Sequence, residues 1–239
     1  MTPRPDLSLI RREVVYQPPA DAGLDLVYVD DSLVVVNKPE GLLSVPGRGD
    51  DRQDCLVHRV QQRFPEALTV HRLDMATSGL VVMARGLAMQ RALSLAFEKR
   101  RVHKRYTAVV AGRLDNPDPG NGWQTIDLPL MIDWLNRPRS IVHHGMGKPS
   151  LTRWRLAEPQ TPAEHTDIAT RVELEPVTGR THQLRVHLQA LGHPIAGDAL
   201  YATPAQQALS NRLLLHADML ELPHPVTGQR LRFHSPCPF

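Results

Sequence analysis

Two stretches of the 239-residue chain hold side chains whose types and spacing suit them to chemistry. In the first, Val70-His71-Arg72-Leu73-Asp74-Met75-Ala76-Thr77-Ser78-Gly79, one carboxylate follows a basic pair and precedes uncharged turn residues, with an apolar run at 80–84 directly behind it. That setting presents Asp74 singly, and a positioned carboxylate can serve as a nucleophile or a base. The competing reading of Asp74 alone is structural, because Asp ahead of a Ser-Gly turn often accepts hydrogen bonds from its own backbone. The second stretch is Gly179-Arg180-Thr181-His182-Gln183-Leu184-Arg185-Val186-His187-Leu188-Gln189-Ala190-Leu191-Gly192. At helical spacing Leu184, Leu188 and Leu191 share one face and Arg180, Gln183 and His187 share another, which leaves a polar face to meet a ligand. His182 and His187 are five apart with no acid to join them, so a zinc site of the His-Glu-x-x-His kind is not formed.

Strand and helix patterns alternate around these groups. Residues 24–28 and 33–37 are β-rich and flank Asp30-Asp31, the pattern of a hairpin. Asn37 to Arg48 then reads as a loop by its Pro and Gly content, in which Lys38 and Arg48 are either phosphate contacts or solvated charges. Asp54 is placed to cap a helix with one buried stripe, Leu56, Val57, Val60 and Phe64. A buried strand at 80–84 leads away from Asp74. An amphipathic helix follows, ending in Lys99-Arg100-Arg101, cations that its dipole alone would favour. Residues 102–110 form a strand with a basic start and Tyr106 on it, ordinarily a half-buried packing residue with a wet hydroxyl. Residues 129–139 are irregular and mix Trp134 with Arg137 and Arg139, a combination suited to base stacking and phosphate contact, with Lys148 as a further basic candidate. Trp134 itself is expected in the core. Gly147-Lys148 lacks the Gly four residues earlier that a phosphate loop needs, so no nucleotide site is implied. Strands at 152–156 and 168–174 and a hairpin of 213–222 with 230–234 complete a pattern of strands in hairpins with interspersed helices. That pattern predicts an α+β fold around a mixed, mainly antiparallel sheet.

Composition sets the outer limits. With 41% hydrophobic and 22% charged residues the chain reads as an ordinary globular protein, large enough for a substantial core. A net charge of +3 and a pI near 9.1 are compatible with a phosphate-bearing partner without proving one. Only Cys55 and Cys237 are present, so neither a disulfide framework nor a zinc-cysteine cluster is suggested. No stretch approaches the ~20 apolar residues of a membrane span and residues 1–19 lack a signal-peptide core, which makes a cytoplasmic location and no membrane partner the expectation.

The string His71-Arg72-Leu73-Asp74-x-x-Thr77-Ser78-Gly79-Leu80 resembles the catalytic motif of the RluA family of pseudouridine synthases, whose Asp is the essential catalytic residue. Asn37-Lys38-Pro39-x-Gly41 and Gly179-Arg180-x-His182-Gln183-Leu184-Arg185-x-His187 are similar to two further strings of that family. The resemblance spans residues 24–235 and implies the pseudouridine synthase fold, with the catalytic cleft across its sheet. It also implies one catalytic domain at 24–239 behind an extension at 1–23, too short for the S4-type RNA-binding domain the family often carries. By the same resemblance Asp74 is catalytic, Arg180 is its partner, Tyr106 lies against the target base, and Arg72 fills the space that base vacates. A guanidinium beside a carboxylate favours its ionised form, which agrees with the pairing. Arg72, Arg48, Lys38, Arg137 and Lys148 are the RNA-binding candidates.

The implied reaction converts uridine to pseudouridine: the N-glycosidic bond breaks, the uracil turns over, and its C5 joins the ribose C1′. No electron or group is gained, so no cofactor and no metal are expected. Ser44-Val45-Pro46-Gly47-Arg48, Asp133-Trp134-x-Asn136-Arg137-Pro138 and Leu213-Leu214-Leu215-His216-Ala217 stand as in the dual-specificity subgroup of the family. This points to a uridine in the tRNA anticodon loop (position 32) and one in a hairpin of the 23S rRNA (position 746), modified by a monomer without a protein partner. Two other classes compete. An aspartate-nucleophile hydrolase would need a second carboxylate to activate water, which the motif does not supply nearby. An inactive RNA-binding module would not be expected to keep Asp74, Tyr106 and Arg180 together.

Overall fold

The computed structural model describes residues 16–117, 122–158 and 166–239. Most of the 1–23 extension therefore lies outside the described residues. From Tyr16 onward the chain is tied down: the Tyr16 hydroxyl donates to the Asp54 carbonyl (2.9 Å) and accepts from the Leu43 amide (3.0 Å).

In chain order the first half consists of β1 (Leu26–Val29), β2 (Leu33–Lys38), α1 (Leu56–Arg63), β3 (Ala67–Thr69), β4 (Ser78–Arg85), α2 (Leu87–Glu98) and β5 (His103–Ala111). The second comprises β6 (Gln124–Asp127), β7 (Leu130–Ile132), β8 (Ser140–Val142), β9 (Leu151–Leu156), β10 (Ala169–Pro176), α3 (Gln183–Ala190), α4 (Pro204–Gln207), β11 (Leu215–Pro223) and β12 (Arg230–His234). Ten strands form one sheet in the order β1-β2-β4-β11-β5-β10-β9-β6, with β3 also on β4 and β12 on β11, while β7 and β8 pair separately.

The run Leu33-Val34-Val35-Val36 is buried throughout because the sheet is covered on both faces here. Its alternation shows which helix covers which face. Val34 and Val36 join Leu56, Val57 and Val60 of α1, whereas Leu33 and Val35 join Leu93 and Ala96 of α2. On the other half of the sheet, Leu184 and Leu188 of α3 pack on Ala108, Val110, Val172 and Leu174. The expected α+β architecture is what forms.

Every described strand pairing is antiparallel except one. β4 and β11 run parallel through His216↔Ser78 and Ala217↔Gly79, and this short seam joins the two halves of the sheet. Gly79 is required there: its φ is 114°, and a Cβ would fall 2.3 Å from the Ala217 carbonyl oxygen. The seam is locked by Ser78, whose hydroxyl accepts from Arg212 Nη2 (2.7 Å) and meets His216 Nδ1 (2.9 Å). Burial pushes the His216 imidazole down to about 4, so it holds this network as a neutral ring.

Three local expectations differ from the structure. Asp54 does not cap α1; Cys55 takes the N-cap position without a side-chain hydrogen bond, and Asp54 instead grips Arg59 through Nε and Nη2. Trp134 is not core but 65% exposed, with the Arg137 guanidinium 3.4 Å over its ring. The helix expected from 180 begins only at Gln183, because His182 has a left-handed backbone (φ 56°) that starts a new direction. Gln183 and His187 consequently face inward, where His187 lies between Thr152 Oγ1 and the Leu128 carbonyl.

Candidate active site

Asp74 sits in the loop between β3 and β4, and the loop is clamped on both sides of it. Ahead of it, the Leu73 amide and carbonyl both bond the Ser44 hydroxyl (3.1 and 2.7 Å). Behind it, the Met75 carbonyl accepts from the Gly41 amide (2.9 Å) and from Lys38 Nζ (3.0 Å). The turn that follows is closed by the Asp74 carbonyl, which accepts from the Thr77 amide at 3.1 Å. The carboxylate is thus spared the turn role a lone Asp ahead of Ser-Gly often takes, and no backbone amide among the described residues donates to it.

Two cationic or polar groups face that carboxylate instead. Arg185 Nη1 lies 3.5 Å and His182 Nε2 3.8 Å from Asp74 Oδ2, while the Asp74 side chain stays 23% exposed. Arg185 is fixed by a two-point bond to the fully buried Asp198, Nε to Oδ2 and Nη2 to Oδ1, both 2.7 Å. Asp198 Oδ1 also accepts from the Leu200 and Tyr201 amides, so the guanidinium has one available orientation. The tautomer of His182 follows from its other neighbour. The Tyr201 hydroxyl accepts from the Ser140 amide (2.7 Å), and its own proton is then free for His182 Nδ1 at 2.7 Å. This leaves the Nε2 proton pointing at Asp74. Burial lowers the His182 pKa against the opposing pull of Asp74, which keeps the ring neutral around neutral pH.

These groups line a cleft of about 530 Å³ together with Arg72, Tyr106 and Arg180. Tyr106, on β5, packs between the two hydrophobic clusters of the sheet. Burial, and after it the Asp74 and Asp218 carboxylates, pushes its phenol above the ordinary range, so the hydroxyl is a donor at neutral pH. Around Asp74 the cleft thus offers a carboxylate, one fixed guanidinium, a neutral imidazole and an aromatic wall. Such a set can hold a planar, uncharged ring and act on a bond beside it.

Residues 32–190 match the family described as RNA pseudouridylate synthase. The chain belongs to this family. It is 47% identical over 224 residues to the dual-specificity RNA pseudouridine synthase RluA of Escherichia coli (strain K12), covering 94% of this chain and 98% of that protein. To the protein of the same name from Pasteurella multocida it is 45% identical over 226 residues, covering 95% and 99%. Among solved structures, human RNA pseudouridylate synthase domain containing 1 superposes with a TM-score of 0.74 at 31% identity, over 93% of this chain and 87% of that one. The fold is accordingly the pseudouridine synthase fold, and the protein is an RNA pseudouridine synthase, an isomerase.

The synthase places some expected site residues together and not others. Asp74, Tyr106 and Arg72 share the cleft. Arg180 lines it too but does not pair with Asp74: its exposed guanidinium reaches the Pro149 carbonyl (3.4 Å), and the guanidinium near Asp74 belongs to Arg185. The reason is the left-handed His182, which separates Arg180 from α3 and turns Arg185 inward. Lys38 is not a surface contact for RNA. It is 1% exposed, and its ammonium donates to the carbonyls of Pro39 (2.8 Å), Leu42 (2.7 Å) and Met75 (3.0 Å). Burial pushes its pKa down to about 7 while Asp74 and Glu40 pull it up. Arg48, Arg137 and Lys148 are exposed and stand outside the cleft wall.

Lys38→Met should therefore act on stability. It strips three carbonyls of their donor at roughly 1 kcal/mol each, so urea unfolding should show a loss of about 3 kcal/mol. A loss within the experimental error of the unfolding curves would instead free Lys38 for RNA.

Proposed function

We propose that this synthase isomerises two uridines, one at position 32 in the tRNA anticodon loop and one at position 746 in a hairpin of 23S rRNA, with Asp74 as its catalytic group. The observation that carries the reading is the single Asp74 carboxylate, clamped by its flanking backbone and facing Arg185 across a cleft walled by Tyr106. The dual substrate rests on near full-length similarity to two proteins named dual-specificity synthases.

In this reading the target uridine leaves the stack at a cost of a few kcal/mol, and the exposed Arg72 at the cleft occupies the space it leaves. The uracil packs on Tyr106. Asp74 acts on the ribose side of the glycosidic bond, N1–C1′ breaks, the detached ring turns, and C5–C1′ forms. The C5 proton departs and N1 gains one, so the product is an isomer. Arg185 supplies a fixed positive charge beside the carboxylate throughout, and the Tyr201–His182 pair turns an imidazole nitrogen toward it at 3.8 Å. Arg48, Arg137 and Lys148 serve as outlying phosphate contacts on the exposed surface. The protein works as a monomer in the cytoplasm; no helix among the described residues is long and apolar enough to cross a membrane.

Mapping pseudouridines in total RNA from a deletion strain and its parent tests this directly. Both positions should lose the modification in the deletion strain. Loss in only one RNA would reduce the enzyme to single specificity, and loss at other sites alone would assign it other uridines.

Tyr106→Phe keeps the ring and removes the hydroxyl. RNA affinity should stay within about twofold and single-turnover isomerisation should fall roughly 100-fold or more, the range of a lost proton-transfer or hydrogen-bonding group. A normal rate would leave Tyr106 only its packing role.

A further inference from the structure

Arg100 and Lys104 line the cleft and are used by nothing described so far. Arg100 and His182 are the non-glycine residues with left-handed backbones among the described residues, and both line this cleft. His182 has its role beside Asp74. Arg100 (φ 55°) follows the last turn of α2, where the Arg100 amide donates to the Phe97 carbonyl (3.1 Å) and the Arg101 amide to the Ala96 carbonyl (2.8 Å). A helix closed in this way ordinarily carries Gly at the left-handed position, since any side chain there is strained. An arginine held in that conformation, exposed and without an ion pair among the described residues, points to a use for its side chain.

Lys104 supplies the second observation. It precedes Tyr106 by two residues on β5, so both side chains leave the same face, roughly 7 Å apart along the strand. Its ammonium is largely withdrawn from water but has no carboxylate or hydrogen-bond partner among the described residues. It lies 6.0 Å over the Phe97 ring, and Phe97 in turn stacks on His71 (centroids 4.8 Å apart, 26° between planes). His71 offers no negative charge, since its Nε2 accepts from the Val82 amide and the ring is neutral. The one carboxylate at this end of the cleft, Glu98, is exposed and 4.0 Å from Lys99. A withdrawn cation without a counterion is unfavourable on its own and is relieved when a ligand brings the anion.

We propose that Arg100 and Lys104 form an anion subsite that takes a backbone phosphate of the RNA strand next to the uridine held on Tyr106. The proposal deepens the reading of the cleft as the uridine site and rests on it. Lys104 is the half-buried point charge and Arg100 the exposed planar fork, so a phosphate between them is bound from inside and outside at once. The position beside Tyr106 sets which phosphate is taken, and therefore the register of the strand across Asp74.

Arg100→Gly is the decisive variant, because it removes the cation and relieves the backbone together. Its melting temperature should equal or exceed that of the parent, while Kd and KM for a C5-tritiated anticodon stem-loop rise about tenfold and the loss falls on KM rather than kcat. The slope of log affinity against log salt should shrink by roughly 0.7 to 1, one phosphate contact. Lys104→Gln should do the same, and the double variant should lose one slope unit rather than two, since both cations serve one phosphate. Unchanged Kd and salt slope in both single variants would overturn the subsite, as would a two-unit loss in the double. Filter-retained RNA gives Kd without turnover, so the subsite is decided even if the parent released no tritium, the result that would sink the reading of function instead.

Discussion

Asp74→Asn should abolish isomerisation and leave the fold and RNA affinity in place. The amide fills the volume of the carboxylate but can neither attack C1′ nor accept a proton, and among the described residues the other carboxylate lining the cleft, Glu98, stands at its far end beside Lys99. We expect single-turnover tritium release to fall by at least about 10⁴-fold, equivalent to some 5.5 kcal/mol of barrier. The fold should not notice the change. The loop is held by Ser44 on Leu73 and by Lys38 and Gly41 on Met75, none of which touches the Asp74 side chain. Arg185 also keeps its partner Asp198, so no orphaned charge is created. A rate within tenfold of the parent in a protein with parental melting behaviour would remove Asp74 from the mechanism.

Arg185→Met should be the most damaging substitution for stability as well as for turnover. It leaves the buried Asp198 carboxylate with only its two backbone donors, and uncompensated buried charges of this kind cost about 3–5 kcal/mol. It also removes the one guanidinium within 4 Å of Asp74 among the described residues. Urea unfolding and tritium release should both fail relative to the parent. Arg180→Met is the matched control: among the described residues its exposed side chain hydrogen-bonds the Pro149 carbonyl alone, so stability should change by no more than about 0.5 kcal/mol. If Arg180→Met proved the more damaging of the two, the pairing drawn here between Arg185 and Asp74 would be the wrong one.

The contrast between those two arginines shows where the sequence speaks and where it does not. Long apolar runs such as 33–36 and 80–84, and the turn residues between them, announce strands and hairpins because burial and turn chemistry are local properties. Asp74 and Tyr106 carry motifs, so the cleft's main groups were legible too. Arg180 was expected at Asp74 from the resemblance of the Gly-Arg-x-His string alone; which of its two arginines turns inward is decided by the left-handed backbone of His182, a conformation that residue type does not fix. Lys38 was read as a surface charge because nothing near it in sequence announces three converging carbonyls, one of them contributed by Met75, 37 residues away. Trp134 was expected inside on the strength of residue type, whereas a cation over its face lets it stand in water. His182 and Tyr201 are brought together by the fold, 19 residues apart in the chain, and no spacing rule would have joined them.

The parallel seam at Ser78 and His216 has a consequence for how the enzyme comes into being. Its two sides are 138 residues apart, so the halves of the sheet close over a very long loop, whose entropic cost must be met before the seam's contacts reward it. The first half can gather around β2 and β4 early, and Asp74 with it. Arg185 and the Tyr201–His182 pair are synthesised more than a hundred residues later, and the strand that welds their half of the sheet to Asp74 comes later still. During synthesis on the ribosome the enzyme therefore passes through a long interval in which the Asp74 carboxylate exists without its companions, and only release of β11 completes the cleft. Slow, late joining of this kind predicts that activity appears in refolding experiments after most of the secondary structure has already returned.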